Sequence, residues 1–340
     1  MSGTSLDGID LVLVRFDKLP EWQFEILDAC TINYTQDVLT QLACATTLTS
    51  DELHTLDHQL GKLFGEAILL FLKGRKVDFI SSHGHTVFHQ PELRKTLQIG
   101  NGHEIHAVTG IPVVNNFRSY DVSQGGQGAP LVPVGDYWLF SAYTYCLNLG
   151  GIANISYEEE GIRRAYDIVP CNMLLNRLAG GIGMEYDPQG QYARAGTIIN
   201  SLLYKWDELS YYHQSWPKSL GYEWVSQAYF EDIDSLMYQV EDKLATAVEH
   251  MAVQIARACQ QSGKILITGG GAFNQYLVER IEAHLPDKVE VEVPHAEIVN
   301  FKEALIFAFL GVLRVRNEVN VWASVTGAPA DSSSGDMIGF

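Results

Sequence analysis

Positive charge is scarce: 23 lysines and arginines stand against 41 aspartates and glutamates, a formal charge of −18. That balance removes the basic surface that a nucleic-acid or anionic-membrane role needs, so any bound phosphate has to be held locally by backbone N–H groups, a metal ion or a few cations. Cysteine is equally thin. Its five residues, Cys30, Cys44, Cys146, Cys171 and Cys259, are odd in number and form no CxxC pair, which speaks against a disulfide framework or a zinc site and for thiols in a reducing compartment. No basic segment followed by an apolar run opens the chain, and no uninterrupted 18-residue apolar stretch occurs in it. Proline is held to 11 residues and no low-complexity tract appears, while 46% of the residues are hydrophobic, which excludes a disordered chain. The expectation is a soluble cytoplasmic protein. At 340 residues it exceeds the usual single core, so two lobes with a ligand cleft are expected.

Local patterning supports an α/β class. Residues Ile9 to Phe16 and Glu25 to Tyr34 read as a hairpin, and Asp51 to Lys73 as a helix with Leu53, Leu56, Leu60, Leu63 and Phe64 on one face. VDFISSHGHT and TLQIGN read as short strands. The organisation then restarts: YCLNLGGIANISYE is a strand, a Gly-Gly turn and a strand, as the opening was, which places a boundary near 130 to 143. RRAYDIVP reads as a strand, Ser235 to Ser262 as a long helix, KILITGGGAFN as a strand breaking into a glycine turn, and FKEALIFAFLGVLRVR as an apolar helix. The SVTGAPADSSSGDMIGF tail reads as loosely structured, with a turn at Thr-Gly-Ala-Pro.

Three glycine- or hydroxyl-rich turns follow or join strands: SGTSLDG (2–8), NLGGIANIS (148–156) and TGGGAFN (268–274). Glycine permits close backbone approach, so successive N–H groups can face a phosphate oxygen. None matches GxxxxGK[ST] or a convincing GxGxxG, so neither P-loop nor Rossmann chemistry is supported.

These turns, with SSHGHT, QIGN, NFRSYDVSQGGQGAPLVP, YDPQGQYARAG and PKSLG, occur in an order and spacing over nearly the whole chain that resembles the anhydro-N-acetylmuramic acid kinase family. That family belongs to the sugar kinase, heat-shock ATPase and actin superfamily. The resemblance implies two RNase H-like domains, 1–135 and 136–340, with mixed five-stranded sheets, flanking helices, and ATP and sugar in the interdomain cleft. It implies that Ser2, Gly3, Thr4, Ser5, Asp7 and Gly8, with Asn148, Gly150 and Gly151, form two phosphate loops, and that Gly269, Gly270, Gly271 and Asn274 contact ATP along the adenosine. Asp7 would hold Mg²⁺ through water. Asp167 matches the family's general base, which activates water against the anomeric carbon of 1,6-anhydro-N-acetylmuramic acid; O6 is released and takes the γ-phosphoryl group. Glu303 matches a second acidic position near the bridge oxygen, and His83, His85, Arg118, Asp121 and Asn172 match sugar-contacting positions. Implied with these are peptidoglycan recycling, a cytoplasmic location, a homodimer, and neither nucleic acid nor membrane as partner.

From the residues alone each has a plainer reading: Asp7 as a turn residue, Asp167 as a strand-end cap, Glu303 as a solvated helix position, His85 as a satisfied loop histidine. Two features depart from the family. Met1 is itself the methionine of the MSGTS motif, so the strand that feeds the first loop is expected to be missing, either because the chain begins that way or because its start was assigned late; in the first case weaker stability and ATP binding are expected. The turn after the base reads DIVPCN, with Val169 and Cys171 in place of glycines and Asn176 in place of a later acid; Tyr120 replaces an arginine common in relatives. The alternatives carried with the kinase reading are a kinase for another anhydro-sugar and a noncatalytic sugar- or nucleotide-binding pseudokinase.

Overall fold

In a computed structural model, residues 1–2, 8–235 and 237–340 are described. The chain packs into two units, 1–139 with 301–340, and 140–300. The expected division at 135/136 assigned the last forty residues to the second domain; their packing places them in the first, because Asp336–Ile338 pairs antiparallel with Val113–Asn115.

The second unit is built on a five-stranded mixed sheet with flanking helices. Tyr145–Leu149, Ile152–Glu159 and Ile162–Pro170 form an antiparallel meander; Gly263–Thr268 then adds parallel to the first of these, and Val289–Glu292 parallel to Gly263–Thr268. The alternation expected of NLGGIANISYE is realised as pairs Leu149–Ala153 and Asn148–Asn154 flanking the Gly150-Gly151 turn. Helix Val240–Ala258 buries Leu244, Ala247, Val248, Met251 and Ile255 in the core that also holds Leu147, Ile155, Ile265 and Ile267. Each such aliphatic side chain contributes about 1.5–3 kcal/mol on leaving water.

In the first unit, Ile9–Lys18 and Trp22–Ile32 form the expected hairpin, His85–Gln90 pairs with Lys95–Ile99, and Ile80–Ser81, Val113–Asn115 and Asp336–Ile338 make a three-stranded sheet. Ser2 forms isolated bridges to Ile9 and His85. Helix Ser50–Leu72 opens with a capping box between Thr49 and Glu52 and buries Leu56, Leu60, Phe64, Ile68 and Phe71. It approaches helix Gly102–Thr109 closely because Gly61 and Gly65 lack side chains: a Cβ would lie 2.6 Å from Asn101 O at the first and 2.8 Å from Val108 Cβ at the second.

The tail is ordered, contrary to the reading of its composition. Asn320, fully buried, donates through Nδ2 to Leu310 O and Ser334 O at 3.0 and 2.9 Å and accepts from Ser334 N at 2.7 Å. A polar, glycine-containing segment becomes fixed when one amide side chain replaces its missing ladder partners. The expected turn stands, with Gly327 in the left-handed region.

Candidate functional site

In the second unit the two expected glycine turns lie against each other. Thr268 pairs with Asn148, and a Cβ on Gly269, whose φ is +80°, would meet Asn148 Oδ1 at 2.5 Å and Leu149 C at 2.9 Å. Only glycine fits there. Asn172 ties the two together: its Nδ2 donates to Leu149 O at 3.0 Å, and its Oδ1 stands 3.2 Å from where a Gly271 Cβ would be. The carbonyls of Gly150 and Gly151 accept from the N–H groups of Asn172, Cys171 and Met173, so the hairpin turn itself caps helix Asn172–Gly180. Gly151 is exposed, and a Cβ there meets nothing within 4 Å. The turn therefore has open space on its outer side, the arrangement a phosphate needs. Asn274 serves as N-cap of Gln275–His284, accepting from Leu277 N at 3.0 Å, and is buried.

The altered DIVPCN turn has a simple structural answer. Val169 and Cys171 are fully buried within the second unit's core, and burial raises the Cys171 thiol pKa to about 12. These side chains fill the interior. They do not line the turn's outer face.

Asp167 lies two residues before Val169 on the same strand, half-buried. The N–H of Leu220 donates to its Oδ2 at 2.9 Å, and the Tyr211 hydroxyl donates to its main-chain carbonyl at 2.6 Å. Among the described residues its other carboxylate oxygen makes no hydrogen bond. Burial raises the carboxyl pKa above its ordinary 3.8, and the Leu220 N–H pulls it partly back. Sequence reasoning missed Tyr211 and Leu220; the PKSLG segment, which includes Leu220, was the only signal.

In the first unit, His83 and Arg118 are brought together. Arg118 Nε donates to His83 Nε2 at 2.9 Å and its Nη1 to Gly128 O at 2.8 Å, with Phe307 beneath both groups, its ring centroid 4.4 Å from that of His83. A ring nitrogen that accepts from a guanidinium is unprotonated, which places the His83 proton on Nδ1, 3.1 Å from Gly84 O. Burial, reinforced by Arg118, holds the His83 pKa well below 6.5. Ser2 Oγ accepts from the Tyr34 hydroxyl at 2.6 Å and lies 3.0 Å from His85 Nδ1.

Glu303 is open to solvent but set in dense surroundings that raise its carboxyl pKa, against the opposing pull of Arg118 and the Met1 amine. Asp121 is bound within the protein: Oδ2 accepts from Gly128 N at 2.7 Å and Oδ1 from Thr326 Oγ1 at 2.9 Å. It fastens the QGGQG segment. Gly8 is packed so that a Cβ would lie 2.5 Å from Ile32 O. Gly3, Thr4, Ser5 and Asp7 lie outside the described residues, so the proposed magnesium contact has no geometry here. Among the described residues no group of three histidine, cysteine, aspartate or glutamate side chains is placed to hold a metal ion, and no helix is long and apolar enough to cross a membrane.

Comparison with known proteins matches residues 1–338 to the family model described as anhydro-N-acetylmuramic acid kinase. A relative from Crocosphaera subtropica bearing that name is 36% identical over 372 aligned positions, spanning 99% of this chain and 97% of its own. One from Microcystis aeruginosa is 35% identical, covering 99% and 98%, and one from Aliivibrio fischeri 34% identical, covering 98% and 96%; both bear the same name.

Proposed function

Because the chain belongs to the anhydro-N-acetylmuramic acid kinase family, whose enzymes phosphorylate that sugar, we propose that it opens 1,6-anhydro-N-acetylmuramic acid by hydrolysis and phosphorylates O6 in the same turnover. The observation that carries this reading is Asp167: a half-buried carboxylate with one oxygen held by Leu220 N–H and a pKa raised by burial. Water attacks C1 and gives a proton to Asp167 as the C1–O6 bond breaks. O6 leaves with the electron pair and takes the γ-phosphoryl group of ATP, so ADP and N-acetylmuramic acid 6-phosphate are the products. A raised pKa makes Asp167 a stronger base.

The chain's own groups supply the rest. The Gly150-Gly151 turn offers the nucleotide phosphates open space, and the glycines at 269–271 keep side chains out of the adjoining turn. Magnesium, a hard cation that nucleotide phosphates require, would be held by Asp7 through water. Glu303, its carboxyl pKa raised, would hydrogen-bond the bridge oxygen, while His83 and Arg118 would meet sugar oxygens. The alternative of a pseudokinase rested on the missing first strand and on the DIVPCN turn; on the second point, the burial of Val169 and Cys171 favours the catalytic reading. A role in cell-wall recycling in the cytoplasm, as a homodimer, completes the proposal.

The test is ADP release with Mg²⁺-ATP and 1,6-anhydro-N-acetylmuramic acid, with the sugar product identified by mass. A product that has gained one water and one phosphoryl group, lost in Asp167→Asn, supports the mechanism. Turnover by a folded Asp167→Asn variant would remove Asp167 as base.

A further inference from the structure

Within the PKSLG segment, Lys218 is a cation to which the described residues supply no counter-ion. Its ammonium stands 4.6 Å from the ring centroid of Tyr211 and 5.6 Å from that of Tyr166, and it donates to Tyr211 O at 3.3 Å. No carboxylate among the described residues lies within ion-pairing distance of it, in a chain with 41 acidic residues. Its partial burial lowers its pKa, with no acidic neighbour acting against that shift.

The segment that carries this cation is tied to the base. Tyr211, over which Lys218 sits, binds the carbonyl of Asp167; Leu220, two residues beyond Lys218, binds the Asp167 carboxylate; Tyr166, the second ring under the ammonium, immediately precedes Asp167. One short segment thus carries both a lysine ammonium and the donor that orients the base. Aromatic faces hold a cation without neutralising it, and with one donor directed to Tyr211 O the ammonium has two left.

We propose that Lys218 binds the lactyl carboxylate of the sugar substrate and is the residue by which the enzyme distinguishes a muramic acid from the corresponding sugar without that acid. This rests on the placement of the sugar's anomeric carbon at Asp167. A substrate reacting there presents a carboxylate on a rotatable ether arm, and a lysine, a compact charge on a flexible stem, suits such an arm better than a rigid guanidinium fork. Partial burial of the ammonium favours the incoming carboxylate as the partner that the described residues do not supply.

Calorimetry on the full chain would compare binding of 1,6-anhydro-N-acetylmuramic acid with 1,6-anhydro-N-acetylglucosamine, which has a hydroxyl in place of the lactyl ether. The variants are Lys218→Met, Lys218→Gln, Lys218→Arg and Asp167→Asn, each checked for melting temperature. Wild type should favour the lactyl sugar, and Lys218→Met and Lys218→Gln should weaken its binding roughly tenfold or more, with a much smaller effect on the lactyl-free sugar. Lys218→Arg should recover much of the preference. Loss of affinity for both sugars alike, or a preference that survives in the folded Met and Gln variants, overturns the assignment. Asp167→Asn separates the two ideas: retained turnover in it defeats the base while a Lys218-dependent preference stands, and abolished turnover with an unaltered preference in Lys218→Met defeats Lys218 alone.

Discussion

The main-chain N–H of Leu220 donates to the Asp167 carboxylate at 2.9 Å, although 53 positions separate the two residues. A strand end and a distant loop thereby fix the orientation of one carboxylate, while burial makes its charge expensive.

That cost gives Asp167→Asn two opposite effects. Loss of the base should lower kcat by about 10²–10⁴-fold. Stability should move the other way: a carboxyl whose folded pKa exceeds 3.8 is penalised wherever it is ionised, so the variant should melt higher than wild type near pH 7.5. The penalty belongs to the charged form, so the difference should shrink as pH falls through the raised pKa and vanish below 3.8. Wild-type kcat should decline over the same acidic interval. Calorimetric melting and rates across pH check both, and a lower melting temperature for the variant at neutral pH would contradict the burial argument.

The two glycine turns of the second unit should respond differently to a methyl group. Gly151→Ala adds a Cβ into open space, so the melting temperature should stay close to wild type while ATP affinity falls about tenfold. Gly269→Ala forces φ +80° on a residue with a Cβ and drives it against Asn148 and Leu149, costing about 2 kcal/mol of stability. Denaturant melts and nucleotide titration separate the cases. Undiminished ATP binding by Gly151→Ala would mean the turn is not a phosphate loop.

His83 gives a pH signature of the opposite sign to Asp167. Its folded pKa lies well below 6.5, so as pH falls under 6.5 the unfolded chain takes up a proton that the folded chain refuses, and stability drops. His83→Gln should make the fall between pH 6.5 and 5 shallower. It should not abolish it, since His85, His89 and His250 are also depressed by burial. Equal slopes for wild type and variant would mean that His83 is protonated in the folded protein.

Much of this arrangement was legible in the sequence, and the exceptions share a cause. The Gly-Gly hairpin, the helix read from Asp51 and the 268–271 turn follow from local chemistry, where period or backbone freedom acts within a few residues. What local pattern does not carry is long-range commitment. Nothing near Asp121 in sequence reveals that Thr326 uses one of its oxygens, and the tail looked loose because nothing near Asn320 in sequence reveals that it knits Leu310 to Ser334. Val169 and Cys171 threatened the site only while their direction was unknown; a strand end can turn side chains either to the core or to a ligand.

Lys302 illustrates the same point and yields the last prediction. Nothing local in the sequence marks Lys302, beside the exposed Glu303, as buried, yet Lys302 Nζ lies 2.7 Å from Asp136 Oδ1 with both side chains buried, 7% and 4% exposed. Replacing such a pair by apolar groups is often neutral, whereas removing one partner leaves a charge in a low-dielectric interior. Lys302→Met should therefore cost about 3–5 kcal/mol. Lys302→Met combined with Asp136→Asn should recover a large part of that loss, because the buried carboxylate charge that paired with Lys302 has gone. Denaturant unfolding of wild type, both single variants and the double variant measures the coupling directly. Additive losses would show that the two residues act independently; a coupling of opposite sense to the loss locates the cost in the broken Lys302–Asp136 pair.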